Sequence, residues 1–136
     1  MILHLLDTNA VSDLVRNPQG RVVQQYRLRQ EDAATSIIVA AELRFGAERR
    51  GSAKLTAQLE DVLTDLPVLS FDAPADAAYA RIRSQLERAG AVISANDLLI
   101  AAHALALDCI LVTDNEREFS RVPGLRVENW LRADDG

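Results

Sequence analysis

Ile2-Leu3-His4-Leu5-Leu6-Asp7-Thr8-Asn9 is a nearly unbroken apolar run that stops at an acid and two polar turn formers. A strand buried on both faces of a sheet reads this way, because helices cover both sides and leave no alternation of apolar and polar positions. Cys109-Ile110-Leu111-Val112, followed by Thr113-Asp114-Asn115, repeats the pattern late in the chain. In an open parallel sheet, ligands gather outside the carboxyl ends of the strands. Asp7 and Asp114 are therefore expected at one edge.

Two further acids are expected at the same edge from helix starts. Ala34 to Ile38 reads as a strand and Val39 to Arg50 as a helix, which puts Glu42 in that helix's first turn. Ser94-Ala95-Asn96-Asp97 precedes the apolar stretch Leu98 to Leu107, a helix apolar nearly all round that belongs in a core or an interface. Each acid also has an ordinary explanation. Asp7 suits a helix cap, Ser94 and Asp97 have capping-box spacing, Glu42 suits the positive end of a helix dipole, and Asp114 suits a turn. Their convergence on one edge favours chemistry. Four carboxylates brought together repel unless some take up protons or a cation joins them. With no histidine or cysteine at ligand spacing, the oxygen-only set favours Mg²⁺ or Mn²⁺ over zinc. Mg²⁺ held by few carboxylates keeps room for substrate phosphates.

The remaining segments complete an alternating pattern. Helices are expected over Val11 to Arg16, Arg21 to Gln30 and Leu55 to Leu63, and a strand over Val68 to Phe71. Asp72-Ala73-Pro74 opens a further helix to Ala89, which Gly90 ends. Strands alternating with helices predict an α/β fold, a three-layer α/β/α sandwich with a mainly parallel central sheet. A length of 136 residues with 49% hydrophobic content suits a single domain over residues 1–136 and excludes wholesale disorder.

The start lacks the basic region of a signal peptide and the longest uncharged apolar run is too short to span a bilayer, so no membrane association and a cytoplasmic location are expected. Cys109 is the only cysteine, which excludes an intrachain disulfide and suggests a buried, inert thiol. His103, in an alanine-rich helix, reads as a packed residue. A net charge of −5 runs against broad electrostatic binding of nucleic acid. Part of that charge belongs to the acid cluster, and the cations are nearly all arginine, which grips phosphate bidentately.

Leu5-Leu6-Asp7-Thr8-Asn9, Ala41-Glu42-Leu43-Arg44-Phe45-Gly46-Ala47, Asn96-Asp97-Leu98-Leu99-Ile100-Ala101-Ala102-His103-Ala104 and Val112-Thr113-Asp114-Asn115, with Glu118-Phe119 after it, resemble the motifs of the PIN domain. They are most similar to the VapC-type toxins of bacterial type II toxin-antitoxin pairs, and the likeness runs from Ile2 to about Trp130. The resemblance implies that Asp7, Glu42, Asp97 and Asp114 form a catalytic, metal-binding quartet, supported by Thr8 and Asn115. It also implies a Mg²⁺- or Mn²⁺-dependent ribonuclease acting on RNA, homodimeric, and inhibited by a cognate antitoxin protein. Two departures stand out: Ser94 lies where a glycine is common, and His4 interrupts an aliphatic first strand.

Other phosphate chemistries fit less well. A haloacid-dehalogenase-like phosphatase needs an aspartate where Asn9 stands, a receiver domain needs a lysine after a late strand, and Gly46 to Ser52 lacks the P-loop lysine. The competing reading is a catalytically silent PIN-like module that binds a protein partner or RNA without cutting it. Loss of one or more acids would mark it, and all four are present.

Overall fold

The computed structural model describes residues 1–132. Its strands are β1 (His4–Leu6), β2 (Ala33–Ser36), β3 (Val68–Leu69), β4 (Ile110–Val112) and β5 (Val127–Glu128). The helices are α1 (Thr8–Arg16), α2 (Arg21–Leu28), α3 (Ile37–Arg50), α4 (Ala53–Asp65), α5 (Ala75–Ala89), α6 (Ala95–Leu107) and α7 (Glu116–Phe119), with one 3-10 turn at Gln30–Asp32. The five strands form one sheet in the order β3-β2-β1-β4-β5, every neighbouring pair parallel. This is the expected three-layer α/β/α sandwich.

β1 is the central strand, with Leu5 opposite Ala34 on β2 and Leu111 on β4. Leu5, Leu6, Leu111 and Val112 are wholly buried, and each contributes roughly 1.5–3 kcal/mol through removal from water. Strand order runs outward from β1 in both directions. The β1/β4 boundary is thus the switch point, where right-handed crossovers place successive helices on opposite faces and open a crevice beyond the strand ends. Asp7 donates its backbone N–H to the Val112 carbonyl across this boundary at 3.0 Å.

Several boundaries differ from the sequence reading. The strand expected over Ala34 to Ile38 stops at Ser36, whose hydroxyl accepts the Ile38 N–H at 3.0 Å and starts α3 there. The β-branched run Ile37-Ile38-Val39 resembles strand but forms the first helical turn, so Glu42 falls in the second turn rather than the first. α1 starts at Thr8 rather than Val11, because the Asp7 carboxylate accepts the Ala10 N–H at 2.9 Å. β3 is shorter than Val68 to Phe71, and α2 ends at Leu28 rather than Gln30. α4 overruns Leu55 to Leu63 at both ends, with Ser52 as its cap. α7 and β5 were not expected.

Among the described residues no helix is long and apolar enough to cross a membrane. Cys109 is free and buried, and burial pushes its thiol pKa up. His103 is buried beside Phe71, at 5.3 Å between ring centroids, with Nδ1 2.8 Å from the Ser36 hydroxyl. Its buried Nε2 has no hydrogen-bond partner among the described residues.

Candidate active site at the strand carboxyl edge

Asp7 leaves β1 and enters the crevice with only 3% of its surface exposed. Burial raises its carboxyl pKa to about 6. Hydrogen bonds from the Thr113 side chain and the Ala10 N–H oppose the rise, and the Asp114 charge adds to it. One Asp7 oxygen therefore caps α1 while the carboxylate lies in the crevice.

Asp97 stands third in α6, with Ser94 as the cap and the Asp97 N–H 3.4 Å from its hydroxyl. Its pKa rises to about 7, first through burial, then through the adjoining Glu118 carboxyl, with a smaller push from Asp7. Glu118 shifts the other way, because the Asp97 carboxyl donates to it and the Ser94 N–H, the Asn115 amide and Arg121 all favour its charged form. The Asn115 Nδ2–H donates to Glu118 Oε2 at 2.8 Å and the Ser94 N–H to Oε1 at 3.4 Å. The pair therefore divides its shifts, with Asp97 pushed up and Glu118 pulled down.

Glu42 arrives from α3 and accepts the Thr8 hydroxyl at 3.0 Å. Asp114 is exposed, just beyond β4, and accepts the Asn9 amide at 2.9 Å. The crevice therefore holds linked groups: Asp7 with Thr113 and Ala10, Asp97 with Glu118, Glu42 with Thr8, and Asp114 with Asn9. Asn115 holds Glu118 in place. Among the described residues no three histidine, cysteine or acidic side chains are close enough to enclose an ion by themselves.

Glu118 and Asn9 were not assigned from sequence. Asn115-Glu116-Arg117-Glu118 has the same cap-to-third-residue spacing as Ser94-Ala95-Asn96-Asp97, and that parallel was the available signal for Glu118. Nothing in the sequence linked Asn9 with Asp114, since the contact depends on β1 and β4 being neighbours.

The donor set suits a hard divalent cation. All the groups are carboxylate oxygens, and burial first, with neighbouring acids adding to it, disfavours the charged forms of Asp7 and Asp97 without a counter-ion. A few carboxylates with waters and a substrate phosphate satisfy Mg²⁺ without a closed protein cage.

A family model for the PIN domain matches residues 4–125. The chain is 35% identical over 132 residues to ribonuclease VapC2 of Haemophilus influenzae, covering 96% of this chain and 100% of that protein. It is equally 35% identical over 131 residues to the tRNA(fMet)-specific endonuclease VapC of Shigella flexneri, covering 96% and 99%. The crystal structure of VapBC2 from Rickettsia felis, bound to a promoter DNA fragment, superposes with a TM-score of 0.87 at 34% identity, covering 95% of this chain and 99% of that one. With Asp7, Glu42, Asp97 and Glu118 around the crevice of such a sheet, the chain belongs to the PIN-domain family, within the group of VapC ribonucleases.

Proposed function

We propose that the chain is a metal-dependent endoribonuclease, the toxin of a toxin-antitoxin pair, which hydrolyses RNA phosphodiester bonds at the acidic crevice and is restrained by a cognate antitoxin. The carrying observation is the meeting of Asp7 and Asp97 at the β1/β4 switch point, where burial and neighbouring acids leave both carboxyls in need of a counter-charge. The VapC relatives named as nucleases support RNA as substrate, and the VapBC structures support a protein inhibitor.

Asp7, Asp97, Glu42 and Asp114 are the proposed catalytic and metal-holding residues, with Glu118 added as partner to Asp97. A bound Mg²⁺ or Mn²⁺ supplies Lewis acidity toward the phosphate and a more acidic water. Asp7 and Asp97 would be the direct ligands, with Asp114 contributing from outside them. Thr8 fixes one Glu42 oxygen and leaves the other able to orient a water or accept its proton. Asn115 keeps Glu118 charged and aimed at Asp97. Homodimerisation and a cytoplasmic location belong to the same reading.

The test incubates the purified chain and its Asp7→Asn and Asp97→Asn variants with total cellular RNA under Mg²⁺, Mn²⁺ or chelator. Cleavage that needs metal and disappears in both folded variants is the expected result. Metal binding and RNA binding by the parent without any cleavage would instead favour the silent binding module.

A further inference from the structure

Beyond β5 the strand edge opens into a cleft of about 520 Å³ between α2 and the segment from Val127 to Arg132. Its charged residues are Arg21, Arg29, Arg132, Glu116 and Glu128. Glu116 is taken up by Arg132, at 2.9 Å, and by the Asn129 amide. Glu128 accepts the Trp130 indole N–H at 3.0 Å and lies 3.5 Å from His4 Nε2. Arg21 and Arg29 remain.

Arg29 is held in place. Its guanidinium lies 5.7 Å from the centre of the Trp130 ring and donates to Gln25 Oε1 at 2.6 Å. Trp130 is itself buried, against the His4 ring at 5.3 Å. The histidine that breaks the aliphatic first strand thus supports the floor of this cleft. A guanidinium already fixed loses little further entropy on gripping an anion, and its planar fork matches a phosphate. Arg21 is exposed and forms no ion pair with any described residue.

The cleft adjoins the acidic crevice. The Glu128 carbonyl accepts the Thr113 N–H at 2.9 Å, and Glu116 begins the helix that follows Asp114 and Asn115. β1 and β5 stand two strand spacings apart, about 10 Å. An RNA strand longer than one nucleotide can therefore run from the acids into the arginine-lined cleft.

We propose that this cleft is a second RNA subsite, in which Arg21 and Arg29 hold a phosphate flanking the scissile bond while Gln25 and its neighbouring amides meet the attached nucleotide. The assignment rests on the ribonuclease reading above. Side-chain amides that both donate and accept suit base edges better than they suit a carboxylate-rich peptide.

Binding of a labelled single-stranded oligoribonucleotide is measured as a function of salt with Asp7→Asn protein in chelator, so that no cleavage intervenes. Adding Arg21→Ala and Arg29→Gln is expected to weaken binding about 10-fold or more and to flatten the log-log salt slope by about 0.7 for each lost phosphate contact. Arg81→Ala, which removes one exposed charge from α5 as Arg21→Ala does from α2, is expected to do neither. Arg21→Ala alone, which removes no described ion pair, must show part of the effect with an unchanged Tm. In the otherwise intact, metal-loaded enzyme the pair raises KM and leaves kcat within about twofold, as loss of uniform binding does.

Unchanged binding, no RNA binding at all, or an equal loss in Arg81→Ala overturns the subsite. So does RNA binding that survives while binding of an acidic protein partner is lost. Salt-dependent binding through the two arginines without cleavage by the parent strikes the nuclease reading and leaves the subsite standing. Cleavage with unaltered KM in the variants strikes the subsite alone.

Discussion

Asp97 and Glu118 occupy the same position, third in the first turn, of two helices whose starts meet at the crevice, and the residue that caps one helix donates its N–H to the acid of the other. The pairing ranks the acids. Glu118 adjoins Asp97 and shifts its carboxyl, whereas Asp114 is exposed and bonded to Asn9. Glu118→Gln is expected to lower metal-dependent cleavage by about 10²-fold or more, in the range of a lost acid or base. Asp114→Asn should cost only about 10-fold, as outer-shell partners of a metal site do. Single-turnover cleavage rates of the two folded variants give the ratio, and a reversed order would return Asp114 to the inner set.

Thr8 acts through Glu42. Thr8→Val keeps the shape but removes the hydroxyl that Glu42 accepts, and activity is expected to fall about 10-fold while the fold survives. Thr8→Ser should restore most of the rate. Equal loss in both variants would make the contact a matter of packing.

His103 sets an acid limit on stability. Burial holds its pKa below the ordinary value of about 6.5, with Asp72 and the Ser70 backbone opposing. The folded state therefore keeps it neutral, and below about pH 6.5 the unfolded chain binds the extra proton. Its contribution is complete above that pH and is lost as pH falls toward the depressed folded value. Thermal unfolding of the parent should drop more steeply than that of His103→Gln between about pH 6.5 and 5. Parallel curves would show that the imidazole is protonated without cost.

Phe119 is wholly buried and follows Glu118 in a short helix. Phe119→Ala is expected to cost about 3–5 kcal/mol, measured by denaturant unfolding. Phe119→Leu should cost less than about 1.5 kcal/mol if the site repacks, yet still lower cleavage, because Glu118 loses its footing. Full activity in a destabilised Phe119→Leu protein would detach Glu118 from its helix.

What could be read in the sequence followed from periodicity and capping. The uninterrupted runs before Asp7 and Asp114 gave the two central parallel strands, and Ser94 with Asp97 gave the start of α6. Less legible were pieces whose stability comes from neighbours. β5 is two residues long and exists through its bonds to β4. The Ile37-Ile38-Val39 run favours strand locally, and the Ser36 cap overrides it. Glu118 was visible as a residue but not as a partner of Asp97, because that contact joins two helix starts through the tertiary fold. The same holds for Arg29 on Trp130.

β1 lies between β2 and β4. The earliest-made strand thus waits for the late β4 to gain its second neighbour during synthesis, and the acids gathered at its tip stay incomplete until Glu118 has left the ribosome. A half-made chain displays Asp7 and Glu42 but lacks Asp97 and its partner. On the proposed site, an incomplete translation product lacks the full set of acids until the late strand slots in beside the first.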